Sequence, residues 1–201
     1  MQIEILDNFY PKELLNNLNK ARQYEFKFFR TDGDFQPYWS LNLYGEEYSE
    51  EKLINSSFKK DEVKLLWDYF SSRFNVDINY LETCYINGLS YGVESHPHID
   101  FPDKNSTTVI LYLCEAWNCY WSGETVFFKN EWVNNPADQS FYDNEIIKSV
   151  LPRKNRIVLF NGNIVHSVRP LSKTYKDLRL TLMFKLKNIS VDKLMENYRC
   201  N

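Results

Sequence analysis

The residues of this chain best suited to bind a metal ion are its histidines and one aspartate. The three histidines lie in two short segments, residues 96–100 and 164–168. In an extended strand, side chains two residues apart point to the same face, so His98 and Asp100 can bind one ion. His166 can supply a third ligand from a β-branched segment that predicts a strand. His98, Asp100 and His166 are therefore the candidate metal ligands.

Two imidazoles and one carboxylate on one face of a metal form the facial triad of non-haem Fe(II) oxygenases, which leaves coordination positions open. A His-x-Asp pair alone is a weak motif. The same residues also fit a structural role, in which His98 and Asp100 form a hydrogen-bonded pair at a strand end and His166 is an ordinary half-buried histidine. Both interpretations stay open at this point.

Arg179 is a candidate anion-binding residue, thirteen positions after His166. The alternation in residues 178–184 places Arg179 and Thr181 on one face of a strand and leucines on the other. If that face points into a barrel, the guanidinium needs an anionic partner, because burial of an unpaired charge is costly. A carboxylate can accept two hydrogen bonds from Arg179 and one from Thr181. If the face points to solvent, Arg179 forms a surface ion pair instead.

The elements that must position these residues are mainly strands. Helices are predicted from Pro11 to about Arg22 and from Asp61 to Phe74, where apolar residues follow helical spacing. Eight strands are predicted after residue 78, at residues 80–87, 95–99, 107–115, 124–129, 146–150, 156–160, 164–168 and 178–186. This pattern predicts a mainly β fold with flanking helices and a double-stranded β-helix core, the cupin-like jelly roll.

The 201 residues predict a single domain in three parts. Residues 1–78 form an N-terminal support that contains helices and a hairpin, residues 79–187 form the jelly-roll catalytic core, and residues 188–201 form a C-terminal helix that Ser190 can cap. The support also contains a short strand at residues 3–6. A turn signal at residues 31–34 predicts the hairpin. The aromatic residues of this segment are Phe35, Tyr38 and Trp39. They either join the core or line the mouth of a binding site.

Composition and charge argue against several classes of partner and site. A hydrophobic fraction of 43% and an aromatic fraction of 16% indicate a folded protein. A net charge of -3, without a long basic run, makes nucleic acid or an anionic membrane an unexpected partner. The four cysteines contain no CxxC pair, which predicts reduced thiols rather than a zinc ribbon or a disulfide framework. Without a basic and apolar leader or a long apolar run, the protein is expected to be cytoplasmic.

The order His98-x-Asp100, His166 and Arg179 resembles the 2-oxoglutarate and Fe(II)-dependent dioxygenase superfamily, most of all its prolyl 4-hydroxylase-like branch. The resemblance runs from about residue 80 to residue 186. It includes four further segments, at residues 85–88, 110–113, 122–128 and 166–170.

The resemblance implies that three residues bind Fe(II), namely His98, Asp100 and His166. It implies that Arg179 binds the distal carboxylate of the cosubstrate 2-oxoglutarate with Thr181 beside it, and that ascorbate is a candidate reductant. Tyr85 and Tyr112 are the implied hydroxyl donors to the cosubstrate.

Two features depart from the pattern of the branch. The interval between His166 and Arg179 is longer than in the branch, so Arg169 stays a rival anion binder. His96 lies on the same face as His98 by strand periodicity, and a supporting or substrate-contacting role is expected for it rather than metal binding.

The resemblance implies hydroxylation of a C–H bond, most of all in a prolyl or other peptidyl residue, with release of succinate and CO2. Four aromatic residues could stack on proline rings or simply pack, namely Trp117, Tyr120, Trp121 and Trp132. Residues 130–145 form either a lid or a solvated insertion. The alternatives are a hydroxylase of a free amino acid or small metabolite and a non-catalytic, metal-dependent jelly-roll binding module. Because the ligand histidines must be deprotonated, activity is expected to fall below about pH 6.

Overall fold

The chain folds into two antiparallel sheets, which the computed structural model describes over residues 2–29, 38–45, 57–131 and 145–201. The strands, in chain order, are β1 (Ile3–Asp7), β2 (Lys27–Phe29), β3 (Tyr38–Tyr44), β4 (Leu81–Leu89), β5 (Thr107–Tyr112), β6 (Thr125–Glu131), β7 (Ile146–Val150), β8 (Arg156–Asn161), β9 (Ile164–Val168) and β10 (Arg179–Leu186). The larger sheet has the order β1-β8-β5-β10-β4-β3-β2, and the smaller sheet has the order β7-β6-β9. This architecture confirms the predicted mainly β, double-stranded β-helix fold.

In the described part of the chain, three α-helices accompany the sheets, namely α1 (Lys12–Leu18), α2 (Asp61–Phe74) and α3 (Val191–Cys200). The predicted apolar stripe of α2 is buried and packs on one face of the larger sheet, where Phe70 and Trp67 contact Phe184 of β10. The side chain of Ser190 caps α3 by accepting a hydrogen bond from the backbone N–H of Lys193. The helices therefore cover the outer face of the larger sheet and leave its other face to the site.

Strand β10 divides its side chains between these two faces. Leu180, Leu182 and Phe184 belong to the core shared with the helices. Arg179, Thr181, Met183 and Lys185 line a cavity of about 460 Å³ on the opposite face. The alternation read from the sequence therefore holds along the whole strand, because each step of an extended chain reverses the direction of the side chain.

The predicted strand at residues 95–99 is wrong. This segment lies in the connection between β4 and β5 and makes only an isolated antiparallel bridge, which pairs His98 with His166. Pro97 lacks a backbone N–H and restricts the residue before it, so it interrupts a continuous ladder. The other seven strands predicted after residue 78 are present, with ends shifted by a few residues.

The predicted N-terminal strand is present as β1, and β2 and β3 pair in antiparallel fashion. The helix predicted to run to about Arg22 ends at Leu18 and is followed by a 3-10 helix at Asn19–Gln23. The predicted turn at residues 31–34 and Phe35 lie outside the described residues. Within the described part of the chain, no helix combines the length and apolar character needed to cross a membrane. The four cysteines are free thiols, with Cys84 and Cys114 buried.

Candidate metal centre

His98, Asp100 and His166 come together at one end of the cavity. Each offers one ligand atom, and these atoms all lie within 4.8 Å of one another. The Nε2 atom of His98 lies 3.9 Å from Oδ1 of Asp100, and the Nε2 atom of His166 lies 3.6 Å from Oδ2. The Asp100 side chain is 4% exposed and that of His98 is 45% exposed, so the group is buried on one side and open on the other. This donor set fits a divalent transition metal with open positions.

The backbone fixes the positions of these side chains. His98 donates its N–H to the carbonyl of His166 at 3.0 Å and accepts the N–H of His166 at 2.9 Å. The Gly162 carbonyl accepts the N–H groups of Asp100 at 2.9 Å and Phe101 at 3.0 Å. The chain around β9 therefore holds the irregular segment that carries His98 and Asp100.

Both histidines present the same ring nitrogen to the centre. Nδ1 of His98 lies 2.7 Å from the His96 carbonyl, and Nδ1 of His166 lies 3.0 Å from the Ile164 carbonyl. A carbonyl only accepts hydrogen bonds, so each Nδ1 carries the proton and each neutral ring keeps the Nε2 lone pair for a metal. Such support is the usual way in which proteins orient histidine ligands.

The electrostatics of the site keep two of the ligands, Asp100 and His166, deprotonated. Burial disfavours the charged form of Asp100, but the charges around it, with Lys185 first, hold the pKa of this carboxyl below its ordinary value. Thr108 donates a hydrogen bond to Asp100 Oδ2 at 2.6 Å, and Lys185 Nζ lies 3.3 Å from Oδ1. Burial lowers the pKa of His166 to about 4, so this imidazole is neutral at neutral pH.

Arg179 lies at the start of β10, inside the molecule rather than at its surface. It is 3% exposed and lines the cavity together with Thr181. Its Nε donates to the Gly123 carbonyl at 2.8 Å and its Nη2 to Thr125 Oγ1 at 3.0 Å. These acceptors are neutral, so the buried cation has a polar cradle in which an anion would be stabilised.

The two predicted tyrosines occupy different positions. Tyr85 lines the cavity, whereas Tyr112 is fully buried and its hydroxyl is 2.8 Å from Thr125 Oγ1. The Arg179 guanidinium lies 5.2 Å from the centre of the Tyr112 ring. Tyr112 and Thr125 thus form a hydrogen-bonded pair beside the arginine.

Two other predicted residues lie away from the ligand positions. Arg169 is exposed, whereas Arg179 is the arginine that lines the cavity. His96 is exposed at the mouth of the cavity, and its ring is not part of the three-residue group. Arg179 therefore differs from Arg169 in being buried against the cavity, and His98 differs from His96 in lying beside Asp100 and His166.

The predicted aromatic mouth is largely a packing cluster. Trp117, Trp121 and Tyr175 contact one another, with ring centres 4.8 to 5.5 Å apart. Tyr120 is exposed, and Trp132 lies outside the described residues, as do residues 132–144 of the predicted lid. Among the described residues, the non-histidine aromatic side chains that line the cavity are Tyr38 and Tyr85.

Sequence reasoning missed four residues of the site, namely Asn87, Thr108, Thr125 and Lys185. Lys185 was within reach of the alternation that identified Arg179 and Thr181, since it lies two further steps along the same face. Asn87 faces the cavity, and its buried Oδ1 has no hydrogen-bond partner among the described residues. Thr125 carries no local signal, because its role depends on the approach of β6 to β10.

A family model described as the 2OG-Fe(II) oxygenase superfamily matches residues 84–184 of the chain. No curated protein matches the chain.

Solved structures with a similar fold include a prolyl-4-hydroxylase from Pseudomonas putida, which is 16% identical with a TM-score of 0.60 over 92% of this chain and 91% of that one. A second structure is a prolyl hydroxylase from Trichoplax adhaerens in complex with a peptide fragment of the hypoxia-inducible-factor oxygen degradation domain. It is 16% identical with a TM-score of 0.64, and the match covers 99% of this chain and 86% of that one. The non-heme alpha-ketoglutarate-dependent epimerase SnoN from nogalamycin biosynthesis is 12% identical with a TM-score of 0.64 over 91% and 77%. At these identities the likeness concerns the fold.

Proposed function

The chain belongs to the 2OG-Fe(II) oxygenase superfamily, and on that basis we propose that it hydroxylates a prolyl or other peptidyl residue. Membership makes the protein an oxidoreductase whose cofactors are Fe(II) and 2-oxoglutarate. The observation that carries the site assignment is the convergence of two imidazole Nε2 atoms and one carboxylate within 4.8 Å. His98, Asp100 and His166 would hold the iron.

The anchor for the cosubstrate is Arg179. 2-Oxoglutarate is a dicarboxylate, and a buried guanidinium can bind its distal carboxylate with paired, charge-assisted hydrogen bonds. Arginine has five N–H donors, more than the contacts to Gly123 and Thr125 use. Thr181 lies on the same face of β10 and can add a hydroxyl, and Tyr85 can donate from the neighbouring strand.

With O2 as the oxidant, Fe(II) and 2-oxoglutarate would supply the chemistry of hydroxylation, in which one oxygen atom enters the C–H bond of the substrate and the other enters the succinate that forms together with CO2. The chain's own residues hold and orient the reactants. The backbone bridge between His98 and His166 fixes the ligands, and Arg179 sets the direction in which the cosubstrate lies. The buried wall formed by Phe127 and Phe160 beside His166 keeps water from one side of the site.

The peptidyl substrate is supported by two of the structures with this fold, which are prolyl hydroxylases, one of them in complex with a peptide. The cavity is lined by Tyr38 and by the exposed residues Glu94 and His96, which offer aromatic and polar contacts to such a chain. A hydroxylase of a free amino acid or small metabolite is the second candidate, because the cavity of about 460 Å³ is also large enough for a small molecule. A binding module without catalysis would have no need of the buried Arg179.

The test is an anaerobic titration of the protein with Fe(II) and then with 2-oxoglutarate. We expect a visible charge-transfer band from the chelated cosubstrate in the wild type. The band should be absent in His98→Ala and present in His96→Ala, the matched control from the exposed histidine two residues earlier. Proline-containing peptides would then be screened for a mass gain of one oxygen. Metal binding without the band in wild-type protein would overturn the oxygenase assignment of the site.

A further inference from the structure

Lys185 lies on the cavity face of β10, at the metal end of the strand. Its Nζ is 3.3 Å from Asp100 Oδ1, and its side chain is 18% exposed. The ammonium also lies 5.3 Å from the centre of the Tyr85 ring, which favours a cation over its face. The contact with Asp100 and the position over the Tyr85 ring hold this charge against a carboxylate that we assign to the metal.

The strand register explains why Lys185 reaches Asp100. Lys185 pairs directly with Thr108 of β5, and Thr108 donates a hydrogen bond to the other oxygen of the same carboxylate. Neighbouring residues on two adjacent strands thus hold Asp100 from both sides. Of these two partners, only Lys185 carries a charge that balances the buried carboxylate.

A divalent ion at the three ligands would change this balance. It would bring two positive charges to the same carboxylate, so the ammonium and the ion would compete for Asp100 and repel each other. The metal would also neutralise the negative charge of Asp100, which Lys185 neutralises in the metal-free protein. The contribution of Lys185 to stability should therefore differ between the two forms.

We propose that Lys185 is the counter-ion of Asp100 in the metal-free protein, and that it weakens metal binding by holding the carboxylate that the metal must take. This inference rests on the metal site proposed above. Lys185 is a positioning residue in this account, since it acts on the metal through Asp100. Its charge stabilises the folded protein without metal at the expense of metal affinity.

A thermodynamic cycle links the two effects. Removal of the ammonium leaves the buried carboxylate without its cationic partner in the metal-free protein, which is strongly destabilising. In the metal-bound protein the ion neutralises the same carboxylate, so the loss of stability is smaller. The difference between the two losses must equal the gain in metal-binding free energy, because binding to the folded state alone stabilises it by linkage.

The test uses Lys185→Met, which removes the charge and keeps a long apolar side chain, and Lys185→Arg, which keeps the charge. Lys187→Met is the matched control, because Lys187 is exposed and pairs with Glu82 instead. The probe is Mn²⁺ alone, which has no need of anaerobic handling. Melting temperatures are measured with EDTA and with saturating Mn²⁺, and the Mn²⁺ dissociation constant is measured directly by calorimetry.

For Lys185→Met we expect a melting temperature lower by about 5 °C or more in EDTA. In Mn²⁺ the loss should be clearly smaller, and the Mn²⁺ dissociation constant should fall by about tenfold or more. Lys185→Arg should behave like the wild type in both respects, as should Lys187→Met. The opposite signs of the two effects distinguish a counter-ion from a side chain that only packs.

Weaker Mn²⁺ binding in Lys185→Met, or an equal loss of melting temperature with and without Mn²⁺, would overturn the proposal. An unchanged melting temperature in EDTA would do the same. Failure of the proposed function is a separate result, since it shows as the absence of Mn²⁺ binding to the wild type or as retained binding in His98→Ala.

Discussion

His98 and His166 are joined through their backbones by a reciprocal pair of hydrogen bonds of 3.0 and 2.9 Å. This is the only bridge that the segment carrying His98 makes within the described chain. It sets the spacing of the two imidazoles, whose ring centres are 4.4 Å apart. The geometry of the site therefore depends on the backbone around β9 as much as on the ligands themselves.

Gly162 holds the segment that carries the third ligand, Asp100. A Cβ at Gly162 would lie 2.4 Å from Cδ2 and 2.7 Å from Cβ of Phe101, so Gly162→Ala must displace the segment next to Asp100. We expect a loss of about 1–3 kcal/mol in unfolding free energy, together with weaker Mn²⁺ binding. Denaturant unfolding and calorimetry measure the two effects. Gly92→Ala is the control, because nothing lies within 4 Å of a Cβ at Gly92 and the substitution adds only backbone strain at φ 74°. Equal Mn²⁺ affinity in the two variants would contradict this account.

Replacement of Arg179 should separate cosubstrate binding from metal binding. We expect Arg179→Ala to weaken 2-oxoglutarate binding to the Mn²⁺-loaded protein by about 10- to 100-fold, because charge-assisted hydrogen bonds contribute roughly 1.5–3 kcal/mol. The Mn²⁺ affinity should stay unchanged. Arg169→Ala, which removes the exposed rival, should leave both constants unchanged. Weakened cosubstrate binding in Arg169→Ala alone would reverse the assignment.

Thr125 links Arg179 to Tyr112 through one oxygen atom. Thr125→Val keeps the shape of the side chain and leaves the Arg179 Nη2 and Tyr112 hydroxyl groups without this partner. We expect a loss of about 1–3 kcal/mol in unfolding free energy, the usual cost of leaving a buried polar group unpaired, and weaker 2-oxoglutarate binding. Tyr112→Phe removes only the hydroxyl and should cost less. A smaller effect for Thr125→Val than for Tyr112→Phe would show that the threonine is not the shared hydrogen-bond partner of Arg179 and Tyr112.

The stability of the metal-free protein should depend on pH through His166. Burial lowers the pKa of His166 from 6.5 to about 4 in the folded protein. Between these two values the unfolded chain binds more protons, so stability decreases as pH falls from 6.5 towards 4. Melting temperatures in EDTA across this range should fall less steeply for His166→Gln than for the wild type. Parallel curves for the two proteins would remove His166 from this dependence.

Much of the architecture could be predicted from local patterns. The stripe of α2 and the alternation of β10 follow from 3.6- and 2-residue periodicities, which any short segment carries by itself. The residue types and the order of His98, Asp100 and His166 indicated metal chemistry, because both can be seen in the sequence alone. The failure at residues 95–99 came from Pro97, whose effect on a ladder outweighs the strand preference of its neighbours.

The tertiary structure decided which residues meet across the sheets. Lys185 lies against Asp100 because β10 and β5 align it with Thr108, and Thr125 lies beneath Arg179 because β6 passes the start of β10. Trp117 and Trp121 pack around Tyr175 instead of lining the cavity, since the turn before β10 brings Tyr175 to them. These contacts depend on strand register and on the packing of distant segments, which no local pattern in the chain contains.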